Sequence, residues 1–288
     1  MLELLRNGQA GKSTTPSVPL YLAQEVLITD PLLAAEWLIG LVWPLRAPAF
    51  RFLGYAYLVL TCEMLAFHGK HYYPANVYPI LIAAGAFAIE AWTARLRIAR
   101  PSVVAAAALA ALPFVPDVLP VLPEASFVAF ASSRNAVLHI PKGATETEHG
   151  RDRSRLPGDW ADMHGWPAMA AAVRSVYASL PERDRRDAVV FGGNYGEASA
   201  VAFFAPEIPV IGEHNQYWLW GPRGFSGRVV IQINGSCFRS QHLFRSRLRA
   251  RTLDDPYAIG FENHIPIWIC RDPSESLAAL WPSIKDYE

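Results

Sequence analysis

The sequence predicts an α-helical membrane bundle of about four transmembrane helices, followed by a small α/β soluble domain. Hydrophobic residues make up 52% of the 288 residues and charged residues only 18%, below the roughly 25% of a typical soluble protein. Residues 31–123 carry few charges, residues 142–186 carry many, and strand and helix patterns alternate after residue 166. We therefore expect an external loop segment over residues 1–30, transmembrane helices over 31–123, a linker over 124–164 and the α/β domain over 165–288.

Four apolar segments predict the membrane helices: Leu32–Trp43, Phe52–Phe67, Val77–Trp92 and Val103–Leu122. A helix needs about 20 predominantly apolar residues to cross a bilayer. The second and third segments reach that length with their aromatic flanks, and the first reaches it only if Tyr21–Ile28 or tilting contributes. The fourth contains Pro113, Pro116 and Pro120, which predict a kink or an early end.

Basic residues in the loops predict the orientation of these helices. The loop between the second and third segments contains a single lysine, Lys70, whereas the loops before the second and fourth contain arginines, at Arg46, Arg51, Arg95, Arg97 and Arg100. Short loops rich in Lys and Arg stay in the cytoplasm. The arginine loops are therefore expected in the cytoplasm, and the Lys70 loop and the α/β domain on the opposite side.

A polar segment, Gly69–Pro79, joins the second and third apolar segments, and we call it the seam. Its cation, imidazole and phenols are Lys70, His71, Tyr72, Tyr73 and Tyr78. Polar groups at a junction of membrane helices are costly and therefore point to function. A second interpretation stays open, in which the phenols anchor the chain at the membrane surface and the lysine reaches towards water. Nothing near His68 and His71 completes a metal site.

Short apolar strands that alternate with helices predict the α/β domain. The strands are Asp187–Phe191, Ile208–Ile211, Arg228–Ile233 and Ile265–Cys270, and the helices are Ala168–Leu180, Ala198–Phe204, His242–Ala250 and Ser274–Leu280. Continuous apolar strands are typical of parallel sheets that are buried on both faces. The order of the elements therefore predicts a small layer of parallel strands covered by helices.

The turn Gly192–Glu197 follows a predicted strand and opens a helix, which is where open α/β sheets bind ligands. Its spacing matches neither the phosphate loop GxxxxGK[ST] nor the dinucleotide motif GxGxxG. Two interpretations stay open. The glycines supply a positive φ in a tight turn, or Asn194, Tyr195 and Glu197 contact a polar substrate or the membrane half.

A second polar and aromatic cluster, His214–Pro222, contains the candidate contact residues His214, Asn215, Trp218 and Trp220. Aromatic rings of this kind stack on sugars, but they also pack in cores and at membrane surfaces. The cysteines add one hypothesis. Cys62 is expected as a buried thiol in a membrane helix, and Cys237 and Cys270 could form a disulfide if their domain lies outside the cytoplasm.

Four stretches of the chain carry a likeness to a known family. They are Met1–Asn7 with the Pro31–Trp43 helix, the seam with Ala83–Ala86, Asp162–Trp166, and Gly193–Ala198 with His214–Pro222. Together they resemble the C-terminal part of bacterial family 39 glycosyltransferases. These are membrane enzymes of the GT-C superfamily, of the dolichyl-phosphate-mannose protein mannosyltransferase type.

The resemblance implies transfer of a sugar from a polyprenyl-phosphate donor to an acceptor at the outer face of a bacterial cytoplasmic membrane. It implies that the lipid phosphate of the donor faces Lys70, His71, Tyr72, Tyr73 and Tyr78. The family places its catalytic acidic residue in an earlier external loop that has no counterpart here. We therefore expect the catalytic residues N-terminal to this chain, little activity from the chain alone, and no such role for Asp30.

The expected partners are the polyprenyl-phosphate-linked sugar donor, membrane lipids and the N-terminal half of the enzyme. The net charge of zero argues against nucleic acid. No cofactor is expected in this chain, although a divalent cation could serve the full-length enzyme. The expected location is multi-pass in the bacterial cytoplasmic membrane with a periplasmic α/β domain. The alternative function is a non-enzymatic membrane protein whose periplasmic domain binds a glycan or a protein.

Overall fold

The computed structural model describes residues 17–96, 98–139, 154–238 and 243–287. These residues fall into two compact units, residues 17–139 and residues 154–287. The first unit is helical and the second contains a sheet. The Met1–Asn7 stretch of the resemblance lies outside the described residues.

Helices account for all regular structure in the described part of the first unit. The α-helices are Val18–Ile28, Pro31–Arg46, Arg51–Ala66, Tyr78–Thr93, Ala99–Ala111, Val115–Val118 and Glu124–Leu138, with 3-10 turns at Pro48–Phe50, Tyr73–Asn76 and Leu112–Phe114. Each predicted apolar segment coincides with helix over most of its length. In the fourth segment, the prolines introduce one 3-10 turn and the helix ends at Val118, so the early end is confirmed.

Two parts of the helical unit differ from the predicted boundaries. Residues 18–28 are helical rather than part of a loop, because Ser17 caps the helix by accepting a bond from the Leu20 N–H and Pro19 lies in the first turn. Residues 124–138 are helical rather than linker, and Arg134 anchors that helix through an ion pair with Asp117.

Cys62 is exposed, not buried as expected.

Among the described residues, two helices are long and apolar enough to cross a membrane, Pro48–Ala66 and Arg100–Val118, each of 19 residues. A third span results if Val18–Ile28 and Pro31–Arg46 act as one bent pair, whereas Tyr78–Thr93 is shorter. The apolar side chains face outwards: none of the apolar stretch of Arg100–Val118 is buried within the chain. Such surfaces are stable against hydrocarbon and costly in water. The unit therefore contains two or three candidate spans.

The bend of 105° between Val18–Ile28 and Pro31–Arg46 follows from the residues at the break. Asp30 has a φ of +60°, and its Oδ1 accepts bonds from the N–H groups of Leu32 and Leu33 at 2.6 and 3.2 Å. Pro31 cannot continue the preceding helix because it has no N–H and restricts Asp30. One helix therefore ends and another begins within two residues.

Two glycines let the Pro31–Arg46 and Tyr78–Thr93 helices pack in direct backbone contact. A Cβ atom on Gly40 would lie 1.7 Å from the carbonyl oxygen of Leu81, and one on Gly85 would lie 2.1 Å from that of Glu36. Small residues at such crossings are typical of membrane helices, which associate mainly by close packing.

The second unit is a five-stranded mixed sheet with helices. Its strands are β1 (Ala188–Gly192), β2 (Val210–Gly212), β3 (Val229–Ile233), β4 (Phe244–Leu253) and β5 (Ile265–Pro273), in the order β2-β1-β3-β5-β4. Its α-helices are Gly158–Ala161, Trp166–Ser179, Glu182–Arg186, Tyr195–Phe204, Gln216–Leu219 and Leu277–Leu280. Strand β1 pairs in parallel with β2 and β3, whereas β5 is antiparallel to β3 and β4. The prediction of parallel strands is therefore wrong for β5.

Strand β4 occupies residues that were predicted as the helix His242–Ala250, of which His242 lies outside the described residues. Arginine, leucine and alanine favour helices, but the arginines recur at every second position, as Arg245, Arg247, Arg249 and Arg251. That alternation suits an exposed edge strand, where long charged side chains prevent pairing with other chains. The helix prediction is therefore wrong, and the period of two was the better signal.

The core of the α/β unit lies on both faces of the sheet, and strands β1, β2 and β3 are buried throughout. Helices Trp166–Ser179 and Tyr195–Phe204 cover one face with residues such as Val173 and Val201. Phe238, Leu277 and the Cys237–Cys270 disulfide lie on the other. The continuous apolar runs of β1 and β3 thus predicted buried strands correctly.

Candidate functional site

The helical unit brings together most of the seam residues that were predicted to bind a lipid phosphate. Lys70 is buried, and its Nζ lies 5.6 Å from the centre of the Tyr72 ring. The Tyr72 ring in turn meets the rings of His71 and Tyr73 edge-on, at 5.5 and 5.1 Å between centroids. The 3-10 turn Tyr73–Asn76 holds this group between two apolar helices.

The charge of this group comes from Lys70. Burial, and secondarily the positive charge of Lys70, lowers the pKa of His71 to about 4. The His71 imidazole is therefore neutral near pH 7 and can donate one hydrogen bond and accept another. The seam thus combines one cation with neutral hydrogen-bonding groups, a composition suited to a phosphate.

Tyr78, the last predicted seam residue, belongs to a different group that sequence reasoning missed. It is buried beside Trp37 and Tyr57, with ring centroids 5.4 and 6.2 Å away. Tyr57 donates a hydrogen bond of 2.9 Å to Oε2 of Glu25, whose side chain is 1% exposed. Tyr21 precedes Glu25 by one helical turn and is fully buried. We call Tyr21, Glu25, Tyr57 and Tyr78 the Glu25 cluster.

The Glu25 cluster and its surroundings contain several buried polar atoms that make no hydrogen bond of good geometry. Within the described ranges, these atoms are Tyr21 Oη, Glu25 Oε1, Asp30 Oδ2, Thr61 Oγ1 and Tyr78 Oη. The Tyr21 and Tyr78 hydroxyls nevertheless interact with the Glu25 carboxylate, and Thr61 interacts with Tyr57. Buried polar groups are nearly always bonded, so such a concentration needs an explanation. The sequence signal was an acidic residue in an apolar helix, and it was missed because residues 1–30 were interpreted as a loop.

In the α/β unit, the predicted Gly192–Glu197 turn lies where β1 ends and helix Tyr195–Phe204 begins. Asn194 caps the helix by accepting the Glu197 N–H at 2.9 Å, and Glu197 Oε2 accepts the Gly193 N–H at 2.6 Å. The protein's own carboxylate thus occupies the anion-binding end of the helix. The turn is therefore not a phosphate loop, in agreement with its spacing.

The glycines of this turn allow close packing. None of them has a positive φ, since the glycines with positive φ lie elsewhere in the described chain. The interpretation that they supply a positive φ is therefore wrong. A Cβ atom on Gly192 would lie 2.6 Å from the Ala198 nitrogen, and one on Gly196 would lie 2.9 Å from the Trp166 ring. Either contact is shorter than a carbon atom tolerates.

Glu262, which sequence reasoning also missed, completes a buried carboxylate pair with Glu197. Asn194 Nδ2 donates to Glu262 Oε1 at 2.6 Å, and Asn234 Nδ2 donates to Glu197 Oε1 at 3.1 Å. Both glutamates are buried. Glu262 precedes β5, and no sequence motif links it to the turn after β1.

Burial dominates the electrostatics of this pair. It raises the pKa of Glu197 well above the ordinary range, and the nearby charge of Glu262 adds to the effect. Burial also raises the pKa of Glu262 to about 7. The hydrogen bond from Asn194 acts to lower this pKa, and the charge of Asp162 acts to raise it. The pair therefore holds a proton at pH values where isolated glutamates are ionised.

His214 and Tyr195 adjoin this pair, at the carboxyl ends of β1 and β2. The Tyr195 N–H donates to His214 Nδ1 at 3.4 Å, and their rings lie 5.0 Å apart. His214 is buried and Tyr195 is 51% exposed. The predicted residues Asn194, Tyr195, Glu197 and His214 are thus brought together.

The other residues of the second cluster have structural contacts. The Asn215 N–H donates to the Asp286 carbonyl at 2.9 Å. The Trp218 indole N–H donates to the Trp281 carbonyl at 3.0 Å, and the Trp281 indole N–H donates to the Trp218 carbonyl at 2.9 Å. Trp218 therefore packs against the same face of the sheet as the Cys237–Cys270 disulfide. Trp220 is half exposed, with the Arg223 guanidinium 5.1 Å from its ring.

No group of three or more His, Cys, Asp or Glu side chains in the described part of the chain could hold a metal ion. Comparison with models of known protein families, with curated proteins and with solved structures finds no match to this chain.

Proposed function

We propose that the chain is the C-terminal portion of an integral-membrane glycosyltransferase that transfers a sugar from a polyprenyl-phosphate donor to an acceptor. The proposal is supported by the resemblance to family 39 glycosyltransferases, by the candidate spans and by the seam. The observation that carries it is the position of Lys70, a buried cation between two apolar helices. A lipid phosphate is a ligand that both the apolar surroundings and the charge would suit.

The groups around Lys70 support the same ligand. The neutral His71 imidazole and the hydroxyls of Tyr72 and Tyr73 can donate to phosphate oxygens without adding charge. Tyrosines also favour the headgroup depth of a bilayer. Lys70 would supply the charge-assisted bond, and its neighbours would fix the orientation of the phosphate.

The proposed arrangement has four membrane-crossing segments, with the arginine loops in the cytoplasm and the α/β unit in the periplasm. The Cys237–Cys270 disulfide supports an oxidising compartment for the α/β unit. Pro48–Ala66 and Arg100–Val118 are two of these segments, and the bent pair and the shorter Tyr78–Thr93 helix would be the other two. Neighbouring helices of the enzyme would pack beside them. The acceptor and the catalytic carboxylate belong to the wider enzyme, as does any divalent cation.

A non-enzymatic membrane protein that binds a glycan through its α/β unit is the second candidate. The half-exposed rings of Tyr195 and Trp220 favour it, because exposed aromatic rings stack on sugars. This candidate requires no binding of a lipid phosphate by the helical unit. Binding of a polyprenyl phosphate therefore distinguishes the two functions.

The test is the affinity of the detergent-solubilised chain for undecaprenyl phosphate. Lys70→Ala should weaken binding about tenfold or more, because a buried charge-assisted bond is lost. Lys285→Ala is the matched control, since Lys285 lies in the α/β unit against Trp218 and Tyr287, and it should leave the affinity unchanged. Equal affinities of the wild type and Lys70→Ala would reject the proposal and favour the glycan-binding candidate.

A further inference from the structure

Strand β4 carries four arginines along an open edge of the sheet. It lies last in the order of the described strands and pairs there with β5, so the other edge of its backbone is open. Arg245, Arg249 and Arg251 are exposed and Arg247 is half-buried. The strand itself contains no acidic residue. The β4 edge is therefore a patch of positive charge on a chain whose net charge is zero.

The charge of this patch is not neutralised within the described part of the chain. None of the four arginines forms an ion pair with another described residue. On the neighbouring strand, by contrast, Arg271 pairs with Asp184 at 3.0 Å. Directly after β4, Asp254 pairs with His264. The edge arginines therefore keep their charge available for a partner outside the chain.

Local contacts spread and orient the guanidinium groups. A bulge between Arg249 and Arg251 shifts the register, so these two side chains lie on opposite faces of the sheet. The Arg249 guanidinium lies 5.4 Å from the centre of the Trp268 ring, which holds it at the surface. Arg247 Nη1 donates to the Ser236 carbonyl at 3.5 Å. Long arginine side chains on both faces can therefore reach one surface that lies across the edge.

The composition of the edge narrows the class of partner. Clusters of about 4–8 Lys and Arg residues beside a membrane bind anionic lipids. Leu248, between two of the arginines, is 55% exposed, and Trp268 is half-buried beneath Arg249. Arginine, tryptophan and leucine together are typical of surfaces at the membrane boundary, where cations meet phosphates and apolar groups enter the headgroup layer. A second copy of the edge fits poorly, because arginines would then face arginines.

The chain also keeps the α/β unit close to a bilayer. The helical unit contains two or three candidate spans, and residues 140–153 connect it to the α/β unit. A segment of this length reaches at most about 50 Å when fully extended. The β4 edge therefore stays within reach of lipid headgroups, and a weak affinity for them suffices for docking.

We propose that the β4 edge docks the α/β unit on a bilayer surface that contains anionic phospholipids. The guanidinium groups of its arginines bond to headgroup phosphates, and Leu248 contacts the headgroup layer. The inference requires that the helical unit is inserted in a membrane. It depends neither on sugar transfer nor on Lys70, and it applies equally to both candidate functions.

The test is hydrogen–deuterium exchange of the full chain in two kinds of lipid nanodisc. One contains phosphatidylcholine alone, and the other also contains phosphatidylglycerol. Docking covers the open edge, so the amides of Phe244–Leu253 should exchange about tenfold more slowly in the anionic nanodisc. Sodium chloride at about 0.5 M should remove this protection, because it screens exposed charges. Exchange of the buried strand β1 should be the same in both nanodiscs, and it reports that the unit is folded.

The variant that combines Arg249→Gln and Arg251→Gln should lose most of the protection. Each arginine at an anionic surface contributes about fivefold to binding, so the double variant should dock about 25-fold less strongly. The salt dependence is measured on the wild type, so the test stays decisive if this variant does not fold.

The matched control combines Arg174→Gln and Arg223→Gln, which removes the same charge from two exposed positions. Arg174 pairs with Glu207, just before β2, which is the opposite edge strand of the described sheet. The Arg223 guanidinium lies 5.1 Å from the Trp220 ring, so the control also loses an arginine that lies on a tryptophan. Its β4 amides should stay as protected as those of the wild type.

Equal exchange of the β4 amides in the two nanodiscs would overturn the proposal. Equal protection in the wild type and the Arg249 and Arg251 double variant would do the same, because the charge of the edge would then play no part. Protection by added poly-glutamate but not by phosphatidylglycerol would assign the edge to an acidic protein partner instead. None of these outcomes changes the affinity for undecaprenyl phosphate, so the proposed function is tested separately.

Discussion

The side-chain amide of Asn194 donates a hydrogen bond of 2.6 Å to Glu262 Oε1, across 68 positions of sequence. The same amide accepts the Glu197 N–H through its oxygen. One side chain therefore caps a helix and ties the turn after β1 to the turn before β5.

Asn194→Ala should destabilise the α/β unit by about 2–4 kcal/mol, because it removes a helix cap and leaves a buried carboxylate with fewer donors. Urea unfolding followed by tryptophan fluorescence measures the loss. Ser276→Ala is the matched control, since Ser276 caps the short Leu277–Leu280 helix without touching a buried charge. It should cost about 1 kcal/mol or less, and equal losses in the two variants would contradict the role of Asn194.

The raised pKa of Glu262 makes the stability of the α/β unit depend on pH. Between the ordinary value of 4.5 and about 7, the folded state holds a proton that the unfolded state has lost. Through Glu262 alone, stability should therefore fall by about 3 kcal/mol as the pH rises through this window, and that contribution should be fully lost above it. Glu262→Gln should remove this contribution from urea unfolding curves. The fall that Glu197 contributes should remain, because burial of its own side chain is the main cause of its raised pKa.

A variant of Glu262 whose stability changes with pH as steeply as that of the wild type would contradict this assignment. Glu275→Gln provides the control, because Glu275 is an exposed glutamate of the same unit. Its pH dependence should equal that of the wild type.

Gly40→Ala should destabilise the helical unit, because the added methyl group meets the Leu81 carbonyl at the helix crossing. Overpacking of this kind costs about 1–3 kcal/mol. The Tm of the detergent-solubilised protein should fall accordingly. Ala83→Val, on an exposed face of the Tyr78–Thr93 helix, adds more volume away from the crossing and should leave the Tm nearly unchanged. A reversed order of the two Tm values would exclude the direct backbone contact.

The disulfide predicts the number of free thiols. The unfolded, unreduced protein should titrate with a single thiol, that of Cys62, because Cys237 and Cys270 are joined. Reduction should then destabilise the α/β unit by about 2–4 kcal/mol. Three titratable thiols before reduction would show that the bond does not form where the protein folds.

Local patterns were sufficient to predict the elements whose burial is uniform. Strands β1 and β3 were predicted almost to the residue, because continuous runs of Val, Ile and Phe leave little choice. Strand β4 was missed, because its alternating arginines also favour a helix. The Val18–Ile28 helix was left open, because Tyr21–Ile28 could extend the first apolar segment but the Gly, Ser and Pro residues before it are typical of a loop.

The candidate sites were predictable only where their residues are close in sequence. The seam residues Lys70 to Tyr73 form a continuous motif, and the structure brings them together. Glu25 and Glu262 acquire their roles from partners 32 and 68 positions away. Such pairs are formed by tertiary packing, and no periodicity in a single sequence encodes them.

Insertion of the helical unit into a lipid bilayer is the condition for every functional step proposed above. The most direct measurement is extraction of membranes from expressing cells with alkaline carbonate, followed by gel filtration of the protein. The chain should stay in the membrane pellet and should require detergent to become monodisperse. A chain that is released by carbonate and stays monomeric in detergent-free buffer would contradict both the lipid-linked donor and the docking of the β4 edge.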